Sequence, residues 1–384
     1  MWGMNKTTDA TKLAKLQNLT ALLPHEIRGQ SQVLPRIASA VQRGELGLTK
    51  PGRPRGSFLL LGPTGVGKTE TVIVTTNQVF GPGLLFRFDM SEFQNQEALG
   101  LLLGARLGEV GYLGAVRERA TEGSLLFDEA EKAHPRVLDI LLQLLDAARI
   151  TVATGQTLDF SGYYIWLTSN IGSAELMSLQ HSNEATLERH VLTRAQQSLR
   201  PEIFARVNEK LVFRRLSYEH QLEIAEKFLA REIEFLRERG HKLELDKTVL
   251  PFLVRKGFHP KLGARPMRDA VEKLVGDAVS ECLLQERPGS GSLTLDEMRD
   301  CLIVVCIRPA KDTGATRRCP CPVGTRRVCA STIAHKLCGR LSAWRECPAV
   351  LPTDNQQIDH RLCRRRCQAR SPRSRLHCIG LRQT

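Results

Sequence analysis

Gly62-Pro63-Thr64-Gly65-Val66-Gly67-Lys68-Thr69 decides the fold. The stretch has the spacing G-x-x-x-x-G-K-[ST]. It follows an apolar run at residues 57–61 and opens a helical stretch at 69–80. A strand running into a glycine-rich loop and then into a helix is the context in which this spacing holds phosphate. The glycines let backbone N–H groups curl around phosphate oxygens, and the helix N-terminus adds partial positive charge. Lys68 is placed to reach the terminal phosphates of a nucleotide, and Thr69 to bind Mg²⁺. The helix itself is an odd one. Thr71, Val72, Ile73, Val74, Thr75 and Thr76 crowd it with β-branched side chains, which lowers helix propensity. It is expected nonetheless because the phosphate loop requires it.

Working outward, short apolar runs at residues 57–61, 84–89, 124–128 and 163–169 alternate with helical segments, and 210–213 is a fifth candidate. That alternation implies βαβ units and a buried parallel sheet. Residues 138–145 form a strongly apolar helix expected to pack on it. Upstream, Leu13, Leu16, Leu19 and Leu22 fall on one helical stripe within residues 11–23. A second helical stretch lies around 33–43, before the Pro51–Gly56 loop. From 219 to 284 the pattern is helical throughout, and 290–305 reads as a polar turn and a hairpin with strands at 292–295 and 302–305. The fold class is therefore α/β: a parallel sheet carrying the phosphate loop, with flanking helices, then a small helical domain with a short β element. No internal repeat is visible.

A second site sits about sixty residues after the loop. Ser124-Leu125-Leu126-Phe127-Asp128-Glu129 is an apolar strand ending in two carboxylates. At the C-terminal edge of a parallel sheet both face the ligand crevice. Asp128 is placed to hold Mg²⁺ and Glu129 to polarise an attacking water as general base.

Charge and cysteine divide the chain. The net charge is +14, from 55 basic and 41 acidic residues. Of these, 17 basic and 4 acidic residues lie at 308–384, leaving a nearly neutral body of 38 basic against 37 acidic. Nine of the eleven cysteines also lie at 306 or beyond, with only Cys282 and Cys301 earlier. A basic chain suggests nucleic acid, but here the charge belongs to the tail. No run of eighteen apolar residues predicts a membrane helix. The N-terminus, Met1-Trp-Gly-Met-Asn-Lys6, lacks the apolar core of a signal peptide. A cytoplasmic location is expected.

The two sites and their surroundings resemble the Clp-type AAA+ ATPase family, in particular the second ATPase module of ClpB-like disaggregases. The matching stretches are Gly56–Glu70, Phe88-Asp-Met-Ser-Glu92, Phe127–Pro135, Thr168-Ser-Asn-Ile-Gly-Ser173, Arg200-Pro-Glu202 with Arg206, and Gly263-Ala-Arg-Pro266. They occur in the family's order between about Thr11 and Val305. The resemblance implies an AAA+ large α/β subdomain at 24–214 after an N-terminal helix at 1–23, and a small lid at 215–306. It implies ATP and Mg²⁺ as cofactors and a homo-oligomeric ring, hexameric in the family, acting on protein substrates. It assigns Asn170 as the sensor that orients the attacking water, Arg206 as an arginine finger reaching a neighbouring subunit's γ-phosphate, and Arg265 as the lid arginine that senses nucleotide in cis. Ile27 and Arg28, before Gly29-Gln30, correspond to the adenine-pocket segment. A planar guanidinium suits developing phosphate charge.

The sequence also departs from the family. Clp-type motors grip substrate with Gly-Tyr-Val-Gly, whereas this chain has Gly108-Glu109-Val110-Gly111-Tyr112. Glu109 occupies the aromatic position and the following segment is shorter, leaving Tyr112 either as a substitute grip or as a packing residue. The first ATPase module, the N-terminal substrate domain and the coiled-coil middle domain of ClpB-like proteins are not found. Residues 170–200 contain no Ile/Leu-Gly-Phe/Leu tripeptide of the kind that docks the ClpP peptidase, so that partnership is not expected.

In the tail, Cys319-Pro-Cys321 and His360–Cys367 lack the C-x₂-C pairing of a structural zinc site. Metal binding and nucleic-acid binding through Arg364–Arg366 compete there with a disordered or out-of-frame extension. The bias to Cys, Arg and Pro without periodicity favours the extension. Nucleic acid is expected to bind only non-specifically, through this tail. An ATP-driven remodelling motor is thus the first expectation for function. The alternatives are an ATP-gated scaffold without threading, suggested by Glu109, and a nucleic-acid-directed AAA+ ATPase, suggested by the basic tail.

Overall fold

The structure is a computed structural model that describes residues 6–106, 108–178 and 183–305, all within one compact unit. The basic, cysteine-rich tail lies outside the described residues.

The chain opens with helices α1 (Lys6–Glu26) and α2 (Leu34–Glu45), then strand β1 (Gly56–Leu61), α3 (Lys68–Val79), β2 (Leu85–Asp89), α4 (Ala98–Leu103), α5 (Tyr112–Arg119) and β3 (Gly123–Asp128). It continues with α6 (Pro135–Ala147), a small hairpin of β4 (Arg149–Thr151) and β5 (Thr157–Asp159), β6 (Tyr163–Ser169), α7 (Ser173–Ser178), α8 (Glu184–Ser198), α9 (Pro201–Arg206) and β7 (Glu209–Val212). The main sheet has five parallel strands in the order β2-β3-β6-β1-β7.

Both faces of this sheet are covered, which is why its central strands read as unbroken apolar runs. The two-residue side-chain period sorts them. Phe58 and Leu60 join Trp166, Tyr164 and Leu126 in a core under α1, α2 and α3, where Phe58 stacks on Trp166 with ring centroids 4.0 Å apart. Leu59 and Leu61 join Leu125, Phe127, Ile165 and Leu167 in the opposite core. There α6 contributes Val137, Ile140, Leu141 and Leu144, as its apolar run predicts.

The β-branched helix α3 forms because tertiary burial outweighs propensity. Thr71, Val72, Thr75 and Thr76 are buried. The Thr71 hydroxyl donates to the Gly67 carbonyl at 2.7 Å, and that of Thr76 donates to Ser124 Oγ at 2.8 Å. Helix α1 runs to Glu26, so the 1–23 boundary falls inside it. The helix buries Leu16, Leu19 and Leu23 in the same core as α2 and α3.

The second part comprises α10 (Tyr218–Glu238), β8 (Leu243–Leu245), α11 (Val249–Gly257), α12 (Met267–Leu284), β9 (Gly291–Asp296) and β10 (Cys301–Val305). Its own core is built from Leu229, Phe252, Leu253, Val271, Val275 and Leu293, among others. The expectation of unbroken helix from 219 to 284 needs correcting. The short strand β8 pairs in parallel with β9, which also carries the expected antiparallel hairpin with β10. A loop at residues 258–266 separates α11 from α12. Among the described residues no helix is long and apolar enough to cross a membrane.

Candidate functional site

Parallel strands end on the same edge of a sheet, so β1, β3 and β6 deliver the loops that follow them to one place. Those loops begin at Gly62, Glu129 and Asn170. The sheet topology alone therefore brings the two motifs together.

The loop after β1 is built on glycine. Gly62, Gly65 and Gly67 have φ of 139°, 73° and 100°, values that side chains with a Cβ resist. Lys68 is folded inward and buried. Its ammonium donates to the Gly62 carbonyl, to that of Pro63 at 2.9 Å and to Asn170 Oδ1 at 2.9 Å. Burial pushes the Lys68 amine down to about 8, against the opposing pull of Glu131, Asp128 and Glu129. The group is thus charged below about pH 8 and loses its proton above it. With Lys68 assigned to the phosphates, nucleotide affinity should be flat from pH 6.5 to 7.5. It should weaken by up to about tenfold per pH unit above 8. Titration of a fluorescent nucleotide across this range checks it, and an affinity unchanged to pH 9.5 would sink the assignment.

At the end of β3, Asp128 is buried and accepts from Arg87 Nη2 and from the Thr168 hydroxyl. Glu129 follows in a left-handed conformation, φ 55°, which is unusual for a residue with a Cβ. The Thr168 hydroxyl also accepts the Glu129 N–H at 3.0 Å. One threonine on the neighbouring strand therefore fixes the Asp128 carboxylate and the Glu129 backbone. The left-handed turn carries the chain into a short 3-10 turn, Ala130–Lys132. Lys132 reaches back to pair with Glu129. Asn170 stands between the two motifs. Its amide donates to Glu129 Oε1 at 3.0 Å while its oxygen accepts from Lys68.

The structure thus places Lys68, Asp128, Glu129 and Asn170 in one connected cluster. Other candidate residues stand around it. Val66 is buried, and Pro63 and Thr64 line the loop. Ile27 is buried over Gly67, where a Cβ would meet Ile27 Cγ2 at 3.7 Å. Arg28 lies within 3.6 Å of Glu223 on α10. Thr69 is the second residue of α3, beside Lys68.

Arg265 is exposed, but its neighbours touch the phosphate loop. The Ala264 N–H donates to the Gly65 carbonyl at 3.0 Å, and a Cβ on Gly65 would lie 1.9 Å from the Leu262 carbonyl. Arg206, at the end of α9, is not brought into this cluster; it pairs with Asp146 on α6.

Several residues of the site carry no signal that the sequence alone makes visible. Thr168, Arg87, Lys132 and Glu131 lie inside quoted motifs or strands, but only the fold shows where they converge. Gln30 is the strongest case. It is 1% exposed and ties three segments together. Its amide donates to the Val66 carbonyl at 3.1 Å and the Arg214 carbonyl at 2.9 Å, and its oxygen accepts the Arg214 N–H at 3.1 Å. Gln30→Ala leaves the Val66 carbonyl and the half-buried Arg214 backbone groups without this partner. The expected cost is about 2 kcal/mol or more, read as a drop of about 5 °C or more in Tm. An unchanged Tm would show that water replaces the side chain.

The loop expected to grip substrate has its own geometry. Glu109 does not extend from it. Its Oε2 accepts the N–H groups of Ala105 and Arg106 at 3.0 and 3.1 Å. Val110 and Tyr112 are each 49% exposed, and the Tyr112 ring meets Phe93 edge-on at 6.4 Å.

Comparison with known proteins agrees with this architecture. Residues 53–210 match the family described as AAA domain (Cdc48 subfamily). Residues 216–293 match the C-terminal, D2-small domain of ClpB protein. The chain is 37% identical over 292 residues to heat shock protein 100 of Trypanosoma brucei brucei, covering 74% of this chain and 34% of that one. It is 36% identical over 304 residues to the chaperone protein ClpB of Vibrio cholerae, covering 77% of this chain and 35% of that one. The chain thus spans about a third of the length of these relatives. A closed-state cryo-EM reconstruction of Hsp104 with ATPγS and FITC casein superposes with a TM-score of 0.69 at 29% identity, over 77% of this chain and 52% of that one. The phosphate-loop motif, the paired carboxylates at a strand end, the matched AAA and ClpB D2-small domains and the ClpB relatives make the chain a member of the Clp-type AAA+ ATPase family.

Proposed function

We propose that the chain binds Mg·ATP at the edge of the main sheet and hydrolyses it within a homo-oligomeric, hexameric ring. That energy would remodel other proteins in the cytoplasm. The observation that carries this reading is the connected cluster of Lys68, Asp128, Glu129 and Asn170 at the ends of three parallel strands. The large subdomain at 24–214 would supply the site and the lid at 215–306 would cover it.

The residues suit the groups they would hold. Backbone N–H groups of residues 64–69, around glycines of positive φ, would face the phosphates. Lys68 would exchange its carbonyl partners for phosphate oxygens. Ile27 would supply an apolar wall for the base beside Arg28. Asp128 and the Thr69 hydroxyl form a hard-oxygen pair too sparse for an all-protein cage. No cluster of three or more His, Cys, Asp or Glu that could hold a metal occurs among the described residues. That set fits Mg²⁺, which binds through one or two protein oxygens plus substrate phosphates. When bound, Mg²⁺ would neutralise developing phosphate charge. Glu129 would take the proton of the attacking water, with Asn170 holding the carboxylate in line. Arg265 would approach the nucleotide from the lid, and Arg206 would act on a neighbour's site.

The client-facing loop would offer Val110 and Tyr112 rather than residue 109, because the Glu109 carboxylate is bonded to its own loop. Neither a scaffold without threading nor a nucleic-acid-directed ATPase is favoured by the relatives. Association with ClpP is not proposed, and nucleic acid would bind only non-specifically, through residues 307–384. ATP-dependent unfolding of a tagged model protein, followed by loss of its fluorescence, tests the reading together with negative-stain imaging for rings. Hydrolysis without unfolding, in a chain that forms rings, would leave an ATPase and remove the remodelling function.

A further inference from the structure

The three-residue turn after the paired carboxylates brings in a third acid with no role in the scheme above. Glu131 points back toward the end of β6, where its Oε1 accepts the backbone N–H of Asn170 at 2.9 Å. Its Oε2 is shielded from solvent and takes no hydrogen bond from the described residues. Two geometric facts lead to this arrangement. Glu129 adopts a left-handed conformation, and that single reversal of hand turns the Ala130–Lys132 segment under the neighbouring strand. Asn170 is the first residue past β6, so its own N–H is not in the strand ladder and needs a partner elsewhere. The Asn170 carbonyl is held as well, by the Ser173 hydroxyl. The peptide units on both sides of Asn170 are therefore fixed, one by Glu131 and one by Ser173. Its side-chain amide bridges Lys68 and Glu129 at 2.9 and 3.0 Å. A bridge with both ends set to hydrogen-bond length depends on the backbone that carries it, and a misplacement of about 1 Å costs up to about a hundredfold in rate.

We propose that Glu131 is a positioning residue for hydrolysis: its carboxylate fixes the Asn170 backbone and, through it, the amide that links the Lys68 ammonium to the Glu129 carboxylate. The proposal rests on the ATPase reading of this site. It concerns reach more than charge; because the carboxylate also helps Lys68 keep its proton, the comparison is made near pH 6.5, well below the Lys68 pKa of about 8. Asp keeps the charge but is one methylene too short to span 2.9 Å from the same backbone. Gln keeps the reach and the acceptor oxygen but loses the charge.

The test is steady-state ATP hydrolysis by the full chain carrying E131Q, E131D, E131A, N170A and the double variant E131A/N170A. Nucleotide Kd is measured alongside with a fluorescent analogue. E131D and E131A should lower kcat about tenfold or more, with KM and Kd within about twofold of the parent chain. E131Q should stay within about threefold of the parent. In the N170A background, E131A should add little, because the group it positions is gone. A nucleotide Kd near the parent value shows that each variant has folded.

The proposal is overturned if E131A leaves kcat unchanged, if E131D is active while E131Q is not, or if the E131A loss multiplies undiminished onto N170A. A normal kcat in N170A would overturn it too, and would place the failure in the Asn170 assignment itself rather than in Glu131.

Discussion

Glu129→Gln should abolish most hydrolysis while leaving nucleotide binding in place. The substitution keeps the length and most of the polarity of the side chain, and Gln is no worse than Glu at φ 55°, since both carry the Cβ that resists this conformation. The Thr168 hydroxyl still accepts the residue's N–H, so the turn that follows is retained. Only the basic oxygen is lost. Removing a general base costs about 10²-fold or more in rate, or roughly 3 kcal/mol of barrier. The Glu129 carboxylate makes no hydrogen bond to the phosphate loop; it is held by Asn170 and Lys132. Nucleotide Kd should therefore move by less than about threefold, well short of the rate loss. Phosphate release measured beside equilibrium nucleotide binding separates the two effects. Turnover within about threefold of the parent would remove Glu129 from its assigned role.

In the structure Lys68, Asp128, Glu129 and Arg206 each have a partner within the chain. Lys68 is held by loop carbonyls and Asn170, Asp128 by Arg87 and Thr168, Glu129 by Lys132, and Arg206 by Asp146. The 258–266 loop is seated on Gly65. Binding of nucleotide then becomes an exchange of partners. Lys132 and Glu129 lie in a pair that is substantially exposed, 46% and 30% by side chain. Such pairs contribute about 1 kcal/mol or less, so releasing Glu129 costs little compared with the barrier reduction asked of it. The Lys68 cradle is different. It is buried, and on nucleotide binding its carbonyl partners would have to be replaced one for one by phosphate oxygens, because an unpaired buried ammonium is far more costly than an exposed one.

How much of this was legible before the fold was known depends on the kind of signal. The main sheet was legible strand by strand, because parallel strands covered on both faces leave unbroken apolar runs such as Ser57–Leu61 and Tyr163–Ser169. The phosphate loop and the paired carboxylates were legible because each is contiguous. The short strands β4, β5 and β8 were not, being three residues each, too few for an alternation to register. Helix α3 was expected against its propensity, and the packing of Thr71, Val72, Thr75 and Thr76 supplies what the local sequence withholds. Gln30, Thr168 and Glu131 stayed silent for another reason. Each acts on a residue between about 36 and 184 positions away, and no spacing rule links a single polar side chain to a distant backbone group. Arg206 and Arg265 are assigned by resemblance alone, since nothing in periodicity distinguishes a finger from a surface arginine.

Arg206→Ala should lower hydrolysis by about 10³-fold, and the loss should be repairable by a second, differently damaged chain. Arg206 pairs with Asp146 on α6, away from the cluster of Lys68, Asp128, Glu129 and Asn170. If it works, it works on another subunit. Both members of its pair are about 40% exposed, so the pair holds it with about 1 kcal/mol at most. A finger contributing 10³-fold supplies roughly 4 kcal/mol in the transition state. The exchange from Asp146 to a neighbour's phosphate therefore runs downhill. Lys68→Ala chains lack a working phosphate site but keep Arg206, while Arg206→Ala chains keep the site and lack the finger. Each alone should be nearly inactive. Mixed in equal amounts in a ring, roughly a quarter of interfaces join an intact Lys68 site to an intact Arg206. Activity should recover toward that fraction of the parent rate and follow the mixing ratio. Asp146→Asn, which frees the arginine without touching the site, should hydrolyse at least as fast as the parent. Mixed rings that assemble, as seen by negative stain, yet show no recovery would place Arg206 outside the reaction.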